Sequence, residues 1–101
     1  MKNDFPEIIK KFEKFSDRFD AYRLSTNEVD IYFASYPKDT KIDSHNHDTE
    51  NYGFITKGEL ILEVDGKQSN YKTGEWYHIP AGKNHSARFE IDTQEIELWF
   101  K

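Results

Sequence analysis

A chain of 101 residues, of which 36% are hydrophobic and 33% charged, is long enough for one domain with one core and too short for two. Its net charge of −5 excludes the basic surface that nonspecific binding to nucleic acid or to anionic membranes requires. Because the sequence has no cysteine, disulfides, iron–sulfur clusters and thiol catalysis are excluded, and four histidines and the carboxylates remain for metal chemistry.

The opening stretch, KNDFPEIIKKFEK after Met1, lacks the apolar segment of a signal peptide, and no later run is long enough to span a membrane. We therefore expect a soluble, cytoplasmic protein. Its expected partners are a small-molecule ligand or substrate or another protein, with neither nucleic acid nor membrane among them.

Apolar residues recur at helical spacing through the first twenty positions, while charged residues fill the positions between them. Asp4 and Glu7 are placed as a capping pair around Pro6, which the first turn of a helix tolerates. The pattern predicts one amphipathic α-helix within residues 1–20 that packs on the rest of the domain. Its apolar stripe comprises Phe5, Ile8, Ile9, Phe12, Phe15 and Phe19.

After residue 20 the hydrophobic period changes to two, and turn residues separate short runs rich in β-branched and aromatic side chains. Asp65-Gly66 is a strong signal for a two-residue hairpin turn. An all-β sandwich or barrel with a helical preface follows: one domain over residues 1–101, with the helix at 1–20 and a β-barrel at 21–101. The predicted strands lie near 21–24, 29–36, 42–47, 51–57, 59–64, 67–71, 75–79, 85–91 and 95–100.

Two segments bring histidines together. In HNHDTENYGFITKG, His45 and His47 lie two residues apart, so on a strand both would project from one face, close enough to share an ion. Such a pair is a weak signal alone, because surface HxH pairs arise by chance. The second segment, GEWYHIPAGKNHSARF, adds His85 at the end of a Gly74, Pro80, Gly82 pattern.

With Gly58 closing the first segment, these spacings resemble the two motifs of the cupin superfamily, in the small single-domain (cupin 2-like) form, over residues 42–89. The resemblance implies an all-β double-stranded β-helix, the jelly-roll cupin barrel, often a homodimer. It also implies a divalent metal, such as Fe, Mn, Ni or Zn, held by three histidines and one glutamate. On this chain the implied ligands are His45, His47 and His85, with Asn51 in the position of the glutamate.

The substitution of asparagine for glutamate leaves the site one negative charge short, since a carboxamide oxygen is neutral and a poorer donor than a carboxylate. Three histidines still suffice for an open site. If the strand alternates regularly, Asn51 and Gly53 face the interior while Glu50 faces out. A one-residue bulge would bring Glu50 inward instead, so either residue is a candidate fourth ligand.

The same alternation sorts the neighbouring residues. Gly53 would either leave room for a small substrate or relieve strand curvature. Outward Tyr52 and Phe54 would need cover from the N-terminal helix or from a second subunit, which favours a homodimer. His78 is expected on the outer face.

Lys83 and Arg88 lie close to His85 in sequence. They are candidates to receive an anionic substrate, although solvated charges are the commoner case.

Three hypotheses for function follow. The first is a metal-dependent enzyme acting on a small polar molecule, with the three histidines holding the ion. The second is a noncatalytic module that binds or senses a small ligand with weak or no metal, and the third is a packed barrel in which the histidines are structural. No nucleophile with an adjacent base, no phosphate-binding loop and no pair of interior carboxylates placed for acid–base work is predicted, so no catalytic residue is assigned.

Overall fold

Strands dominate the structure, a computed structural model that describes residues 4–15 and 20–101. The strands of these residues form two antiparallel sheets, a six-stranded one in the order β1-β2-β3-β10-β5-β8 and a four-stranded one in the order β4-β9-β6-β7. From β3 onward the chain passes repeatedly between the sheets, as in a jelly roll. The strands are β1 (Glu13–Lys14), β2 (Asp20–Ser25), β3 (Val29–Tyr36), β4 (Thr40–His45), β5 (Glu50–Lys57), β6 (Glu59–Val64), β7 (Lys67–Lys72), β8 (Trp76–Ile79), β9 (His85–Phe89) and β10 (Thr93–Phe100).

The strands predicted after residue 20 are confirmed, with each end within two residues of its predicted position. Alternation succeeds because most of these strands bury one face and expose the other. The hairpin at Asp65 and Gly66 is also confirmed. Both residues have positive φ, 49° and 82°, as a turn between β6 and β7 requires.

The predicted N-terminal α-helix is wrong. Within residues 4–15 the structure has only a 3-10 turn at Ile9–Lys11, followed by β1, which extends the large sheet by pairing with β2. Residues 16–19, which include Phe19 of the predicted stripe, lie outside the described residues. Asp4 pairs with Lys57 at 3.0 Å rather than serving as the predicted cap.

The apolar residues of this segment do pack, although not as a helix. The rings of Phe5 and Phe12 lie 5.7 and 6.0 Å from that of Phe33, on the outer face of the large sheet. The edge of β2 offers hydrogen-bond partners to the backbone groups of the segment, so these groups do not need a helix. Tertiary pairing of this kind outweighs the helical preference of a local sequence pattern. The segment therefore covers Phe33 and leaves other aromatics of that face exposed.

The core lies between the inner faces of the two sheets, where Tyr36 of β3 stacks on Phe89 of β9 with ring centroids 4.3 Å apart. The described part of the chain contains no helix long and apolar enough to cross a membrane. The buried core cluster comprises Ala21, Ala34, Tyr36, Ile55, Leu60, Leu62, Tyr77, Ile79 and Phe89.

Candidate metal centre

Three histidines converge at one end of the small sheet. His45 is the last residue of β4 and His85 the first of β9, and the two are directly opposite in the antiparallel pairing. The sequence predicts His47 on the same strand as His45, but in the structure His47 lies two residues beyond the end of β4. Its ring centroid is nevertheless 4.7 Å from that of His45 and 5.1 Å from that of His85. One nitrogen from each ring lies within 4.8 Å of the others.

Backbone contacts orient two of the rings. Nδ1 of His45 lies 2.7 Å from the carbonyl oxygen of Asp43, and Nδ1 of His85 lies 3.1 Å from that of Lys83. Since a carbonyl can only accept, each Nδ1 carries the proton and each Nε2 presents its lone pair. Outer contacts of this kind hold metal-binding histidines in the required tautomer.

The position of His47 is secured through its backbone. The amide of Gly82 donates to the carbonyl oxygen of His47 at 2.7 Å, which joins the loop after β4 to the loop before β9. Nε2 of His47 lies 3.0 Å from Nε2 of His45, and the His47 ring packs on Trp99 with centroids 4.4 Å apart. Two nitrogens bound to one ion at about 2.1 Å each lie about 3.0 to 3.4 Å apart, so this spacing suits a shared metal.

The surroundings favour neutral imidazoles. Burial, followed by the neighbouring His45 and His85, lowers the pKa of His47 to about 4. Burial also lowers the pKa of His85. Neutral imidazole is the form that binds metals, so the lowered pKa values of His47 and His85 prepare these two rings for a cation.

Asn51 lies on β5 with its side chain at the same cavity as the histidines, 5% exposed. The hydroxyl of Thr49 donates to its Oδ1 at 2.6 Å. Glu50 points the other way: its carboxylate accepts from His78 Nε2 at 2.9 Å and from the amide of Ala81. The pairing of β5 with β8 is regular through this stretch, so no bulge turns Glu50 inward.

The remaining polar candidates lie outside the cavity. His78 is exposed on the outer face, where its ring stacks on Tyr52 with centroids 4.4 Å apart. Lys83 pairs with Asp65 at 3.2 Å and Arg88 with Glu90 at 3.6 Å. Neither cation lines the cavity that holds the histidines, so the structure does not support anion recognition by these two residues.

The cavity itself has a volume of about 320 Å³ and lies between the two sheets. The small sheet contributes an apolar wall, and the large sheet contributes most of the polar groups. The residues that line it are Phe15, Tyr36, Ile42, His45, His47, Asn51, Leu60, Leu62, Tyr77, Ile79, His85, Ala87, Phe89, Glu95, Glu97 and Trp99.

The sequence does not reveal that the interior holds a pair of carboxylates. Glu95 and Glu97 of β10 both line the cavity and are 1% and 7% exposed. In TQEIELWF, alternation correctly groups the two glutamates on one face and Ile96 and Leu98 on the other, but a preference for apolar residues inside selects the wrong face. Ile96 instead lines a groove on the outer face together with Phe5 of the N-terminal segment.

Three donors serve the two carboxylates. Tyr36 Oη donates to Oε2 of Glu97 at 2.5 Å, and Trp99 Nε1 donates to Oε1 at 3.0 Å. Tyr77 Oη donates to Oε1 of Glu95. Burial, together with the nearby Glu97 carboxylate, raises the pKa of Glu95 well above its ordinary value, and burial likewise raises that of Tyr77. Both effects favour the protonated, uncharged form of Glu95.

Gly53 has a role that neither of its two sequence interpretations included. A Cβ built at Gly53 would lie 2.0 Å from Cε2 of Tyr77, so the absent side chain makes room for the tyrosine ring. The space is filled by Tyr77 and is not open to a substrate. Through this close approach β5 positions the hydroxyl that holds Glu95.

Comparisons with known proteins agree with this architecture. No curated protein sequence matches the chain. The structure is similar to an RmlC-like cupin from Shewanella frigidimarina (TM-score 0.81, 17% identity, 90% of this chain and 85% of that chain). It is also similar to KdgF from Halomonas sp. (TM-score 0.77, 16% identity, 89% and 84%) and to a conserved protein of unknown function from Streptococcus pyogenes (TM-score 0.78, 17% identity, 100% and 90%).

Identities this low establish the shared fold alone. The sequence itself matches the profile of the cupin domain family, Cupin_2, over residues 32–99. That match spans well over half of the chain and includes the three converging histidines. The chain therefore belongs to the cupin superfamily.

Proposed function

We propose that residues 1–101 act as a single cupin domain that binds one divalent metal ion through His45, His47 and His85, with Asn51 as a neutral fourth ligand. The convergence of three imidazoles, two of them oriented by Nδ1 contacts that leave Nε2 as the coordinating atom, is the observation that carries this proposal. Imidazole suits iron, nickel and zinc, and an added oxygen ligand also suits manganese. The donor set thus fits the Fe, Mn, Ni or Zn expected from the family.

The metal-loaded barrel is proposed to be an enzyme that acts on a small polar molecule. When bound, the ion would supply Lewis acidity or an activated water. The chain's own residues shape the rest of the site: apolar side chains exclude water, and the Glu95 carboxyl can hold a proton at the cavity wall. With Asn51 in place of a carboxylate, the ion would keep more of its positive charge.

A noncatalytic ligand-binding or sensing cupin is the second candidate. The observation that favours it is Asn51, since a missing anionic ligand weakens metal binding and leaves a cavity that can hold a small molecule without it. The purely structural hypothesis predicted a filled interior. The cavity of about 320 Å³ argues against that hypothesis.

Metal titration by calorimetry tests the proposal, using chelator-treated protein and Zn²⁺, Ni²⁺, Mn²⁺ and anaerobic Fe²⁺ in turn. His47→Ala should abolish binding because it removes one of only three imidazole ligands. His78→Ala is the matched control, since His78 is an exposed histidine on the outer face. Equal loss in both variants, or full binding in His47→Ala, would refute the assignment of ligands.

We also propose a homodimer formed through the outer face of the large sheet. Tyr52, Trp76 and Phe100 are 38%, 56% and 41% exposed there, and the N-terminal segment covers Phe33 instead. Light scattering should give twice the chain mass for the wild type and the monomer mass for Trp76→Lys. Ile91→Lys, at a residue that is 50% exposed in the turn between β9 and β10, is the control that should stay dimeric. A monomeric wild type would refute the dimer, and the cytoplasmic location stays a prediction.

A further inference from the structure

His47 is the one proposed ligand that lies outside a strand, in the loop after β4. Loop residues are held less precisely than residues of strands, so a ligand in a loop needs support from its surroundings. The amide of Gly82 fixes the backbone of His47 but not the torsions of its side chain. In the described part of the chain, no backbone carbonyl contacts Nδ1 of His47, in contrast to the other two histidines.

The indole ring of Trp99 packs against the ring of His47. The two ring centroids lie 4.4 Å apart, and the ring planes are inclined at 49°. Trp99 is directly opposite Asn51 in the antiparallel pairing of β10 with β5, and both side chains line the cavity. The indole therefore stands beside the proposed fourth ligand and in contact with the ligand from the loop.

The indole is itself held by buried side chains. Nε1 of Trp99 donates to Oε1 of Glu97 at 3.0 Å, and Oε2 of Glu97 accepts from the Tyr36 hydroxyl at 2.5 Å. The ring of Tyr32 lies 5.0 Å from that of Trp99. Because Glu97, Tyr36 and Tyr32 are all buried in the packed large sheet, they form a fixed support for the indole.

We propose that Trp99, anchored by its hydrogen bond to Glu97, is the positioning residue that holds the ring of His47 in place to bind the metal ion. This inference rests on the proposed function, since it concerns the same ion. It adds two side chains that act through His47 rather than as ligands. It also gives Glu97 a role in the site, as the fixed acceptor for the indole.

Positioning of this kind lowers the cost of ordering a ligand. A histidine whose ring is already oriented loses less conformational freedom when it binds an ion, so the ion is bound more tightly. Outer partners of ligating side chains commonly change metal affinity by about 10- to 100-fold. Backbone carbonyls serve as these partners for His45 and His85, and the indole does so for His47 through ring packing.

Calorimetric titration of the chelator-treated full chain with Zn²⁺ measures the effect. Trp99→Leu should bind Zn²⁺ at least about tenfold more weakly than the wild type, because the ring of His47 loses the neighbour that orients it. Trp76→Leu makes the same change at an exposed tryptophan of the outer face and should bind as the wild type does. Wild-type affinity in Trp99→Leu would overturn the proposal.

Variants at Glu97 separate the hydrogen bond from the charge. Glu97→Gln removes the charge but keeps an oxygen that can accept from Nε1 of Trp99, whereas Glu97→Leu removes both. The Gln variant should bind Zn²⁺ at least about threefold more tightly than the Leu variant, within the usual worth of one hydrogen bond. Glu63→Gln, at an exposed position of β6, controls for net charge and should bind as the wild type does. Equal affinities in the two Glu97 variants would refute the anchor.

NMR of the metal-free chain gives a readout that does not depend on the ion. The ring protons of His47 lie in the ring current of Trp99, so Trp99→Leu should shift their resonances and leave those of the exposed His78 in place. Glu97→Leu should shift the His47 resonances in the same direction, and Glu97→Gln should shift them less. Unmoved His47 resonances in Trp99→Leu would show that the two rings are not in contact and would overturn the proposal.

If Trp99→Leu does not fold, Trp76→Phe provides the test with the site intact. Trp99 is then the only tryptophan of the chain, and Ni²⁺ bound to His47 should quench its fluorescence in step with binding measured by calorimetry. Binding without quenching would overturn the proposal. No binding by the wild type would refute the metal site and, with it, the role of Trp99. Failure of this proposal alone would leave wild-type binding intact, so the two failures are distinguishable.

Discussion

Asn51 is the fourth ligand in the proposed metal site, and it should limit how strongly the three histidines hold an ion. Its side chain lines the same cavity as His45 and His85, and the Thr49 hydroxyl already donates to its Oδ1. A neutral amide oxygen does little to offset the charge of a divalent cation. The proposed site therefore combines three good ligands with one weak ligand.

We expect Asn51→Glu to tighten metal binding. Outer-shell partners alone change metal affinity by about 10- to 100-fold, so an added anionic ligand should gain at least about tenfold, measured by calorimetry. Gln68→Glu, which adds the same charge at an exposed position on β7, controls for net charge. Unchanged affinity in Asn51→Glu combined with lower affinity in Glu50→Ala would mean that Glu50 is the ligand after all.

Glu95 should make the fold less stable as the pH rises, the reverse of the effect of a glutamate whose pKa is lowered by folding. Burial raises its folded-state pKa above the value of about 4.3 in an unfolded chain, so the folded state retains a proton that the unfolded state loses. Its contribution to stability is thus complete below about pH 4 and falls as the pH rises toward the folded-state pKa.

In chemical denaturation from pH 5 to pH 8, the free energy of unfolding of the wild type should therefore decline relative to Glu95→Gln. The largest slope that one proton can give is about 1.4 kcal/mol per pH unit. Gln cannot ionise, so the variant should lack this component. Parallel pH profiles for the two proteins would show that Glu95 titrates normally.

At the scale of elements, β5 and β8 fit together through the contact between Gly53 and Tyr77. Gly53→Ala should destabilise the fold by about 1 to 3 kcal/mol, since the added methyl would overlap the tyrosine ring. A double-mutant cycle with Tyr77→Leu checks the cause, because the smaller side chain should relieve most of the cost. Additive effects in the cycle would contradict the contact.

The strands after residue 20 could be predicted from alternation because the local pattern and the tertiary environment agree. At β10 the local pattern and the tertiary environment disagree. On the apolar face of β10, Ile96 lines a groove with Phe5, which is about ninety positions away in sequence, while the glutamates of β10 face the cavity. The helix prediction for the N-terminal segment is wrong for the same reason, since the helical period of the sequence does not reveal that β1 pairs with the edge of β2.

The histidines of the site could be predicted because their spacing matches a known motif. The burial of the glutamates could not be predicted, since Tyr36 and Tyr77, two of the donors that make it tolerable, come from other strands, β3 and β8. Each of these donors lies in a separate stretch of sequence. Only the packed sheets bring them to one place.

Across the whole molecule, the two sheets divide the tasks of the cavity. The small sheet contributes His45, His85 and an apolar wall, and the large sheet contributes Asn51 and the two buried glutamates. His47 joins them from the loop after β4, held by the amide of Gly82. The resulting chamber places the proposed metal site beside the buried carboxyl groups of Glu95 and Glu97, an arrangement that suits chemistry on a small molecule.

Elemental analysis tests the central claim most directly. The full chain, purified without affinity tag or chelator, is examined by plasma mass spectrometry. Near-stoichiometric iron, manganese, nickel or zinc in the wild type, with little metal in His47→Ala, is the result we predict. Metal-free wild-type protein that also fails to take up added ions would contradict the metal site and favour the ligand-binding module.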